Sequence, residues 1–193
     1  MSASPLLYLA STSPRRREIL QSLGIEFEVV MVEIDESPLA GESPEDLVVR
    51  LATAKAEAAT GAEYVLGSDT VVVLDDIVLG KPEDADDAVD MLLALSGRSH
   101  TVLTGVALRT PNGTGLVLSK TDVRFREIDR DEAIRYWHSG EPADKAGSYG
   151  IQGLGGMFVE AINGSYSGVM GLPVFETVEL LKSVGIEVLS KKK

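Results

Sequence analysis

The stretch "LYLASTSPRRREIL", residues 7–20, joins a short apolar run, a Ser/Thr/Pro turn and the start of a helical pattern. Ser13 suits the N-cap of a helix, and Pro14 suits its first helical position. The sequence therefore predicts a strand at 6–10 followed by a helix at 14–23. Strands that alternate with helices are typical of α/β folds.

Three arginines, Arg15, Arg16 and Arg17, occupy the first turn of that helix. The N-terminal end of a helix carries a partial positive charge and favours anions, so arginines have the wrong sign there. A bound anion such as phosphate would resolve the conflict, because backbone N–H groups and arginine side chains would bind it together. The alternative is a solvated basic turn, and this stretch alone leaves both readings open.

The bulk composition is that of a globular protein, with 193 residues, 44% hydrophobic and 25% charged. The formal net charge of −12 disfavours non-specific binding to nucleic acid or to an anionic membrane. The chain has no cysteine, which excludes disulfides, zinc ribbons and thiol catalysis. The sequence has no membrane-length apolar run and no signal-peptide pattern, so we expect a cytoplasmic protein.

Strands and helices alternate along the rest of the chain, but two hairpins interrupt them. One hairpin turns at Asp75-Asp76, and the other spans 101–124 with its turn near 111–113. We therefore expect one domain, 1–193, with a mixed sheet flanked by helices, and a frayed end at 190–193. The remaining predicted elements are strands at 26–31, 63–68 and 157–162 and helices at 44–59, 83–95, 130–138 and 173–184.

Two segments carry carboxylates in positions that suit a ligand site. Asp69 follows the strand predicted at 63–68, and α/β sheets place ligand-binding groups at strand ends. The segment "EIDES", 33–37, has three carboxylates in four residues, and Asp35 and Glu36 would suit a hard divalent cation. The alternatives are a carboxylate that caps a turn and a solvated acidic loop.

The glycine-rich segment "DKAGSYGIQGLGG", 144–156, predicts tight turns or close backbone approach. It matches neither the P-loop nor the Rossmann spacing, and the alternative is a mobile loop. Gln152 in this segment has an amide that can donate and accept hydrogen bonds at once. Lys55 and Lys81, each taken alone, are typical of surface lysines. His100 and His138 are isolated, so a histidine metal site lacks support.

In their order and spacing these segments resemble one family, the Maf nucleoside triphosphate pyrophosphatases, over about residues 6–181. The resemblance is carried by "ASTSPRRREIL", "IDES", "VVRLATAKA", "LGSDTVVV", "LGKP", "DKAGSYGIQGLGG" and "INGSYSGVMGLPVFET".

The resemblance implies a twisted mixed sheet flanked by helices, similar to inosine triphosphatase, with two lobes around a central cleft. It implies hydrolysis of a nucleoside triphosphate to the monophosphate and pyrophosphate. Arg15, Thr70 and Gln152 resemble the branch that acts on dTTP and UTP, whereas Thr12 and Ser68 are more like the branch that acts on 7-methyl-GTP. It also implies a homodimer.

The resemblance also implies roles for individual residues. Asp69 is the family's proton acceptor, and Glu36 and Asp69 would bind Mg²⁺ or Mn²⁺. Arg15, Thr70 and Gln152 would set the substrate specificity. Alternatives are a 7-methyl-GTP pyrophosphatase, a non-catalytic nucleotide sensor that restrains septum formation, and a phosphatase for monophosphates. The residues that would bind the substrate are Ser11, Arg15, Arg16, Lys55 and Lys81.

Overall fold

The computed structural model describes residues 6–188, so the frayed end expected at 190–193 lies outside the described residues. Within that range the chain forms seven strands and six α-helices. The strands are β1 (Leu7–Leu9), β2 (Phe27–Val29), β3 (Tyr64–Leu74), β4 (Ile77–Leu79), β5 (Ser99–Thr110), β6 (Gly113–Phe125) and β7 (Val159–Asn163). The helices are α1 (Pro14–Ser22), α2 (Pro44–Ala58), α3 (Ala85–Leu95), α4 (Arg130–Trp137), α5 (Tyr166–Met170) and α6 (Val174–Ser183). No helix in 6–188 has the length and hydropathy needed to cross a bilayer.

The strands form one mixed sheet in the order β2-β1-β3-β5-β6-β7, and β4 pairs with β3. Strand β1 pairs in parallel with both neighbours, with Leu7 opposite Phe27 on β2 and Tyr64 on β3. Strand β4 pairs antiparallel with β3, and β7 pairs antiparallel with β6. The mixed sheet expected from the alternation of helices and hairpins is confirmed.

The main difference from the predicted elements lies in β3, which continues to Leu74 instead of ending at residue 68. Asp69 therefore lies inside a strand and does not follow one. The parallel pairing with β1 reaches only Leu66, and β3 then continues as the antiparallel partner of β4. The predicted turn at Asp75-Asp76 is confirmed, and both residues have positive φ, 49° and 66°.

The short helix α5 was not predicted, because five residues are too few to show a helical period. The chain divides into two compact units. Unit 1 holds the chain up to Asp69, Thr104–Ser119 and the chain from Gly171 onward, and unit 2 holds Thr70–Leu103 and Lys120–Met170. The predicted arrangement of two lobes around a cleft stays a prediction.

In unit 1, helix α2 lies in direct backbone contact with two glycines of the sheet. A Cβ built on Gly67 of β3 would overlap the carbonyl oxygen of Ala52 and come within 2.8 Å of the amide nitrogen of Ala56. A Cβ on Gly105 of β5 would come within 2.7 Å of the carbonyl carbon of Val48. Glycine is needed at both positions because no side-chain carbon fits between helix and sheet.

We expect Gly67→Ala to destabilise the protein by more than about 2 kcal/mol, because the added methyl must push the α2 backbone outward. Gly80→Ala is the control, since a Cβ at Gly80 meets nothing within 4 Å. Urea unfolding of both variants measures the effect. Equal stability of the two variants would show that α2 can move away from the sheet at little cost.

In unit 2, a histidine is buried in the hydrophobic core. His100 is 3% exposed and contacts the rings of Phe125 and Tyr149, at 4.9 and 5.5 Å between centroids. Its Nε2 lies 2.9 Å from the hydroxyl of Tyr149. Burial lowers the pKa of His100 to about 4, because the charged imidazolium would lose its hydration.

The buried imidazole makes stability depend on pH. The unfolded chain binds a proton at His100 below about pH 6.5, while the folded protein resists it down to about pH 4. Unfolding is therefore favoured progressively as the pH falls through that window, by about 1 kcal/mol per pH unit. We expect His100→Gln to flatten the pH dependence of the unfolding free energy between pH 6.5 and 4.5. The exposed His138 supplies the control, His138→Gln, and the same flattening in both variants would contradict this role.

Candidate active site

Three neighbouring parallel strands deliver the candidate site residues of unit 1. The parallel pairing of β2, β1 and β3 ends at Val29, Leu9 and Leu66. The chain then continues from these three ends to Glu36, Ser11 and Asp69 respectively. The carboxyl ends of parallel strands are the usual place for ligand-binding groups in α/β sheets. Asp69 lies inside β3, but it comes three positions after Leu66, where the parallel pairing with β1 ends. It therefore still lies at the carboxyl end of the parallel part of the sheet.

Lys55 lies between two of these carboxylates. Its Nζ is 2.6 Å from Oδ1 of Asp69 and 2.7 Å from Oε1 of Glu36. The side chains of Lys55 and Asp69 are only 13% and 11% exposed, whereas that of Glu36 is 55% exposed. Lys55 is therefore not an ordinary surface lysine of α2. The structure brings together a cation and two carboxylates that the sequence separates by up to 33 positions.

The acidic loop that carries Glu36 is attached to α2 through Arg50. The guanidinium of Arg50 contacts both carboxylate oxygens of Glu42, at 2.5 and 2.8 Å, and donates to the carbonyl of Ser37 at 3.0 Å. The hydrogen bond from Arg50 lowers the pKa of Glu42 to about 2, so Glu42 is ionised near neutral pH. Asp35 accepts a hydrogen bond from the amide of Ser37. The loop is thus held to α2 by specific hydrogen bonds, although its carboxylates Asp35 and Glu36 are exposed.

One of the three clustered arginines points into the protein. Arg16 is 9% exposed; its Nε donates to the carbonyl of Gly171 at 2.8 Å and its Nη1 to Oγ of Ser11 at 3.1 Å. Burial lowers the pKa of Arg16, and the charge of Asp69 opposes that shift. Ser68 donates to the same carbonyl of Gly171 at 3.0 Å. Arg16 therefore connects α1 to the segment before α6, which is a structural role beyond the predicted phosphate binding.

The start of α1 is as predicted at Ser13 and Pro14, but the cap differs. Within the described chain the Ser13 side chain makes no capping hydrogen bond, and its amide instead donates to Oγ of Ser11 at 3.2 Å. Arg15, in the first turn, is partly buried. The Ser11 hydroxyl therefore lies beside both the start of α1 and the Arg16 guanidinium.

We expect Arg16→Ala to lower the melting temperature of the ligand-free protein by several degrees, because the buried carbonyl of Gly171 then keeps only the Ser68 hydroxyl as a donor and the removed side chain leaves a cavity. Arg135→Ala, at an exposed arginine of α4, is the control and should leave the melting temperature unchanged. Thermal unfolding followed by circular dichroism measures both. If the Arg16→Ala protein were as stable as the control, Arg16 would have no structural role, and only its predicted role in ligand binding would be left.

The other predicted site residues belong to unit 2. Thr70 directly follows Asp69 in β3 and is partly buried. Lys81 is exposed in the connection between β4 and α3, before Pro82. Gln152 is exposed in the glycine-rich loop. Their approach to the residues of unit 1 stays a prediction.

Two classes of residue were missed by sequence reasoning. Glu42 and Arg50 organise the acidic loop, and Glu141 organises the glycine-rich loop, where its carboxylate accepts hydrogen bonds from the amides of Leu154 and Gly155. These roles depend on tertiary contacts and leave no local sequence pattern. The glycines of that loop, which predicted close backbone approach, were the only local indication that a side chain packs against it.

The donors for a metal are few within residues 6–188. No group of three or more His, Cys, Asp or Glu side chains there could hold an ion. Glu36 and Asp69 supply two carboxylates that meet at one point, the Nζ of Lys55. Mg²⁺ is commonly held by one or two carboxylates together with waters and substrate phosphates, so two carboxylates fit a cation that arrives with a phosphate ligand.

A comparison with known protein families shows which family the chain belongs to. A family model described as "Maf-like protein" matches residues 6–184. This chain belongs to the Maf family. The resemblance found in the sequence is therefore confirmed over almost the whole described chain.

Curated relatives within this family share about half of their residues with the chain. A "dTTP/UTP pyrophosphatase" of Saccharophagus degradans is 53% identical over 191 residues, covering 94% of this chain and 90% of that protein. A relative with the same name from Hahella chejuensis is also 53% identical, covering 95% of this chain and 94% of its own length. Another, from Shewanella oneidensis, is 53% identical and covers 93% of this chain and 98% of its own length. The Staphylococcus aureus Ham1 protein is a structural neighbour, with a TM-score of 0.46 and 12% identity over 62% of this chain and 71% of its own.

Proposed function

We propose that this Maf-family protein is a hydrolase that converts dTTP and UTP to the nucleoside monophosphate and pyrophosphate. The observation that carries the proposal is the Lys55 ammonium held between Glu36 and Asp69 at the ends of the parallel strands. The names of relatives at 53% identity support the choice of substrates. The proposal extends to a cytoplasmic location and to the homodimer that the family resemblance implies.

Cations in unit 1 would bind the polyphosphate. A triphosphate carries about four negative charges near neutrality, and the protein itself has a net charge of −12. Binding therefore requires a local concentration of cations and N–H donors. Lys55, Arg15 and Arg16 supply charge, while Ser11 and the first-turn amides of α1 supply hydrogen bonds. We assign Lys81 of unit 2 to the same task from the family resemblance.

Glu36 and Asp69 are the residues that would hold a divalent cation, Mg²⁺ or Mn²⁺. Their oxygens converge on one point, and hard cations prefer such ligands. When bound, such a cation polarises a phosphoryl oxygen and lowers the pKa of a bound water. Asp69, which is 8% exposed, would orient the attacking water and accept its proton, and Lys55 would hold the Asp69 carboxylate in place.

Arg15, Thr70 and Gln152 would select the base. The Gln152 amide can accept from the N3–H of uracil or thymine and donate to O4. Cytosine presents the opposite pattern, so it leaves polar groups unpaired at about 1–3 kcal/mol each. The methyl group of thymine leaves the hydrogen-bonding groups at N3 and O4 unchanged, and dTTP and UTP would therefore both be accepted.

The test is pyrophosphate release from dTTP, UTP, CTP and 7-methyl-GTP with Mg²⁺ and with Mn²⁺. We expect dTTP and UTP to be hydrolysed and CTP to be disfavoured by about tenfold or more in kcat/KM. Preference for 7-methyl-GTP would move the chain to the sister branch. Release of orthophosphate instead of pyrophosphate would make it a different phosphatase, and nucleotide binding without turnover would make it a sensor.

Asp69→Asn in the same assay should abolish nearly all turnover, because the amide keeps the shape but loses the charge that a metal and a proton require. Asp76→Asn is the control, since this exposed residue lies in the β3–β4 turn, where asparagine also tolerates positive φ. If the Asp69→Asn protein kept more than about a tenth of the wild-type rate, Asp69 would not be the central residue.

A further inference from the structure

The glycine-rich loop of unit 2 folds around a partly buried carboxylate, that of Glu141. Its Oε2 accepts from the amide of Leu154 at 2.9 Å, and its Oε1 accepts from the amide of Gly155 at 2.9 Å. Oε1 also accepts from the hydroxyl of Tyr136 at 2.7 Å. An ionised carboxylate is an acceptor-only group, so it matches three donors at once.

Tyr136 of α4 completes the anchor through its hydroxyl group. The residue is 3% exposed, and its ring packs edge-on against Phe158, at 5.0 Å between centroids. Its hydroxyl donates to Glu141 and accepts from the amide of Gly150 at 3.0 Å. The two side chains therefore form one network, which we call the loop anchor: Tyr136 and Glu141.

The glycines of the loop are explained by this anchor. A Cβ on Gly153 would overlap the Glu141 carboxylate, and a Cβ on Gly155 would stand 2.5 Å from the Tyr136 hydroxyl. A Cβ on Gly150 would stand 2.8 Å from the Lys145 side chain. The backbone thus approaches the loop anchor as closely as glycine allows.

Gln152 lies between the anchored points. The amide of Gly153 donates to the carbonyl of Gly150 at 3.1 Å and closes a turn in which Gln152 is the third residue. Tyr136 holds the amide of Gly150 before Gln152, and Glu141 holds the amide of Leu154 after it. The backbone of this exposed residue is consequently fixed on both sides.

The charge state of Glu141 suits this role. Burial alone would raise its pKa, but the hydrogen bonds from Gly155, Tyr136 and Leu154 together lower the pKa below its usual value. Glu141 therefore stays ionised, and hence acceptor-only, throughout the neutral range.

We propose that Tyr136 and Glu141 are positioning residues for base selection, because they fix the turn that presents Gln152 to the nucleobase. The inference rests on the proposed function, in which Gln152 reads the base. A turn that is not anchored lets the Gln152 amide adopt several orientations, and the hydrogen-bond pattern that distinguishes uracil from cytosine is then lost.

Two variants test the loop anchor separately. Glu141→Gln places an NH₂ group against one of the N–H or O–H donors. Tyr136→Phe keeps the ring against Phe158 and removes only the hydroxyl, so the fold is retained. Glu160→Gln is the matched control, because Glu160 is an exposed glutamate of β7 in the same unit, paired with Arg124 at the surface.

The first readout is amide hydrogen exchange, which does not depend on activity. We expect about tenfold faster exchange at Leu154 and Gly155 in Glu141→Gln and at Gly150 in Tyr136→Phe, with no change in Glu160→Gln. Unchanged exchange at these amides would overturn the inference, because the two side chains would then not hold the loop.

The second readout is the ratio of kcat/KM for UTP to that for CTP. We expect this ratio to fall about tenfold in both variants, mainly through a higher KM for UTP, and to stay at the wild-type value in Glu160→Gln. An equal loss of rate on both nucleotides, with the ratio unchanged, would show a purely structural role and overturn the inference.

The two proposals fail in different ways. A wild-type protein that releases no pyrophosphate from UTP refutes the proposed function, while amide exchange on the same samples still decides whether the anchor holds the loop. A wild type that prefers UTP to CTP, together with variants that keep this preference, refutes only the role of Tyr136 and Glu141.

Discussion

The close approach of α2 to the sheet is the constraint on which the candidate site depends. Gly67 and Gly105 leave no room for a side chain under the helix, so its backbone lies directly on β3 and β5. Gly67 and Asp69 are two positions apart on β3 and therefore face the same side of the strand. Lys55, near the end of α2, can reach Asp69 at 2.6 Å because the helix is held this close. A bulkier residue at Gly67 would move the lysine and the carboxylate apart.

The packing of α2 on the sheet also fixes the charges of the candidate site. A strongly acidic protein presents a cation between two carboxylates, and Arg16 adds a second buried positive charge that is connected to Ser11 and Gly171. These charges are fixed by hydrogen bonds before any substrate arrives. Fixed charges cost little reorganisation when a ligand binds, which is the general advantage of a preorganised polar site. Unit 2 is preorganised in the same way, but there the loop anchor fixes the conformation of a turn and not the position of a charge.

Much of this arrangement could be predicted from the sequence, because the relevant signals are local. The helix start at Ser13-Pro14, the turn at Asp75-Asp76 and the alternation that predicts a mixed sheet depend on neighbouring residues only. The candidate site residues were expected from the resemblance to the Maf family, which the order and spacing of the motifs carried. By contrast, the sequence did not show that the strand predicted at 63–68 and the first strand of the hairpin form one continuous strand, β3, that runs through Asp69.

The residues that the sequence did not reveal act through contacts between distant segments. Arg16 looks like its two neighbours in the sequence, and only the position of Gly171 makes it a buried structural residue. Glu141 carries no local signal, since its partners follow it by 13 and 14 positions in an irregular loop. Arg50 and Glu42 likewise pair across eight positions. Irregular loops have no periodicity, so their anchors become visible only in three dimensions.

The most direct test of the central claim is a crystal structure with Mg²⁺ and a UTP analogue whose α–β bridge resists hydrolysis. The account predicts a cation bound by oxygens of Glu36 and Asp69, with phosphate oxygens against Lys55, Ser11 and the first turn of α1. A structure in which the phosphates bind elsewhere, while Lys55 keeps both carboxylates and no cation touches them, would contradict it.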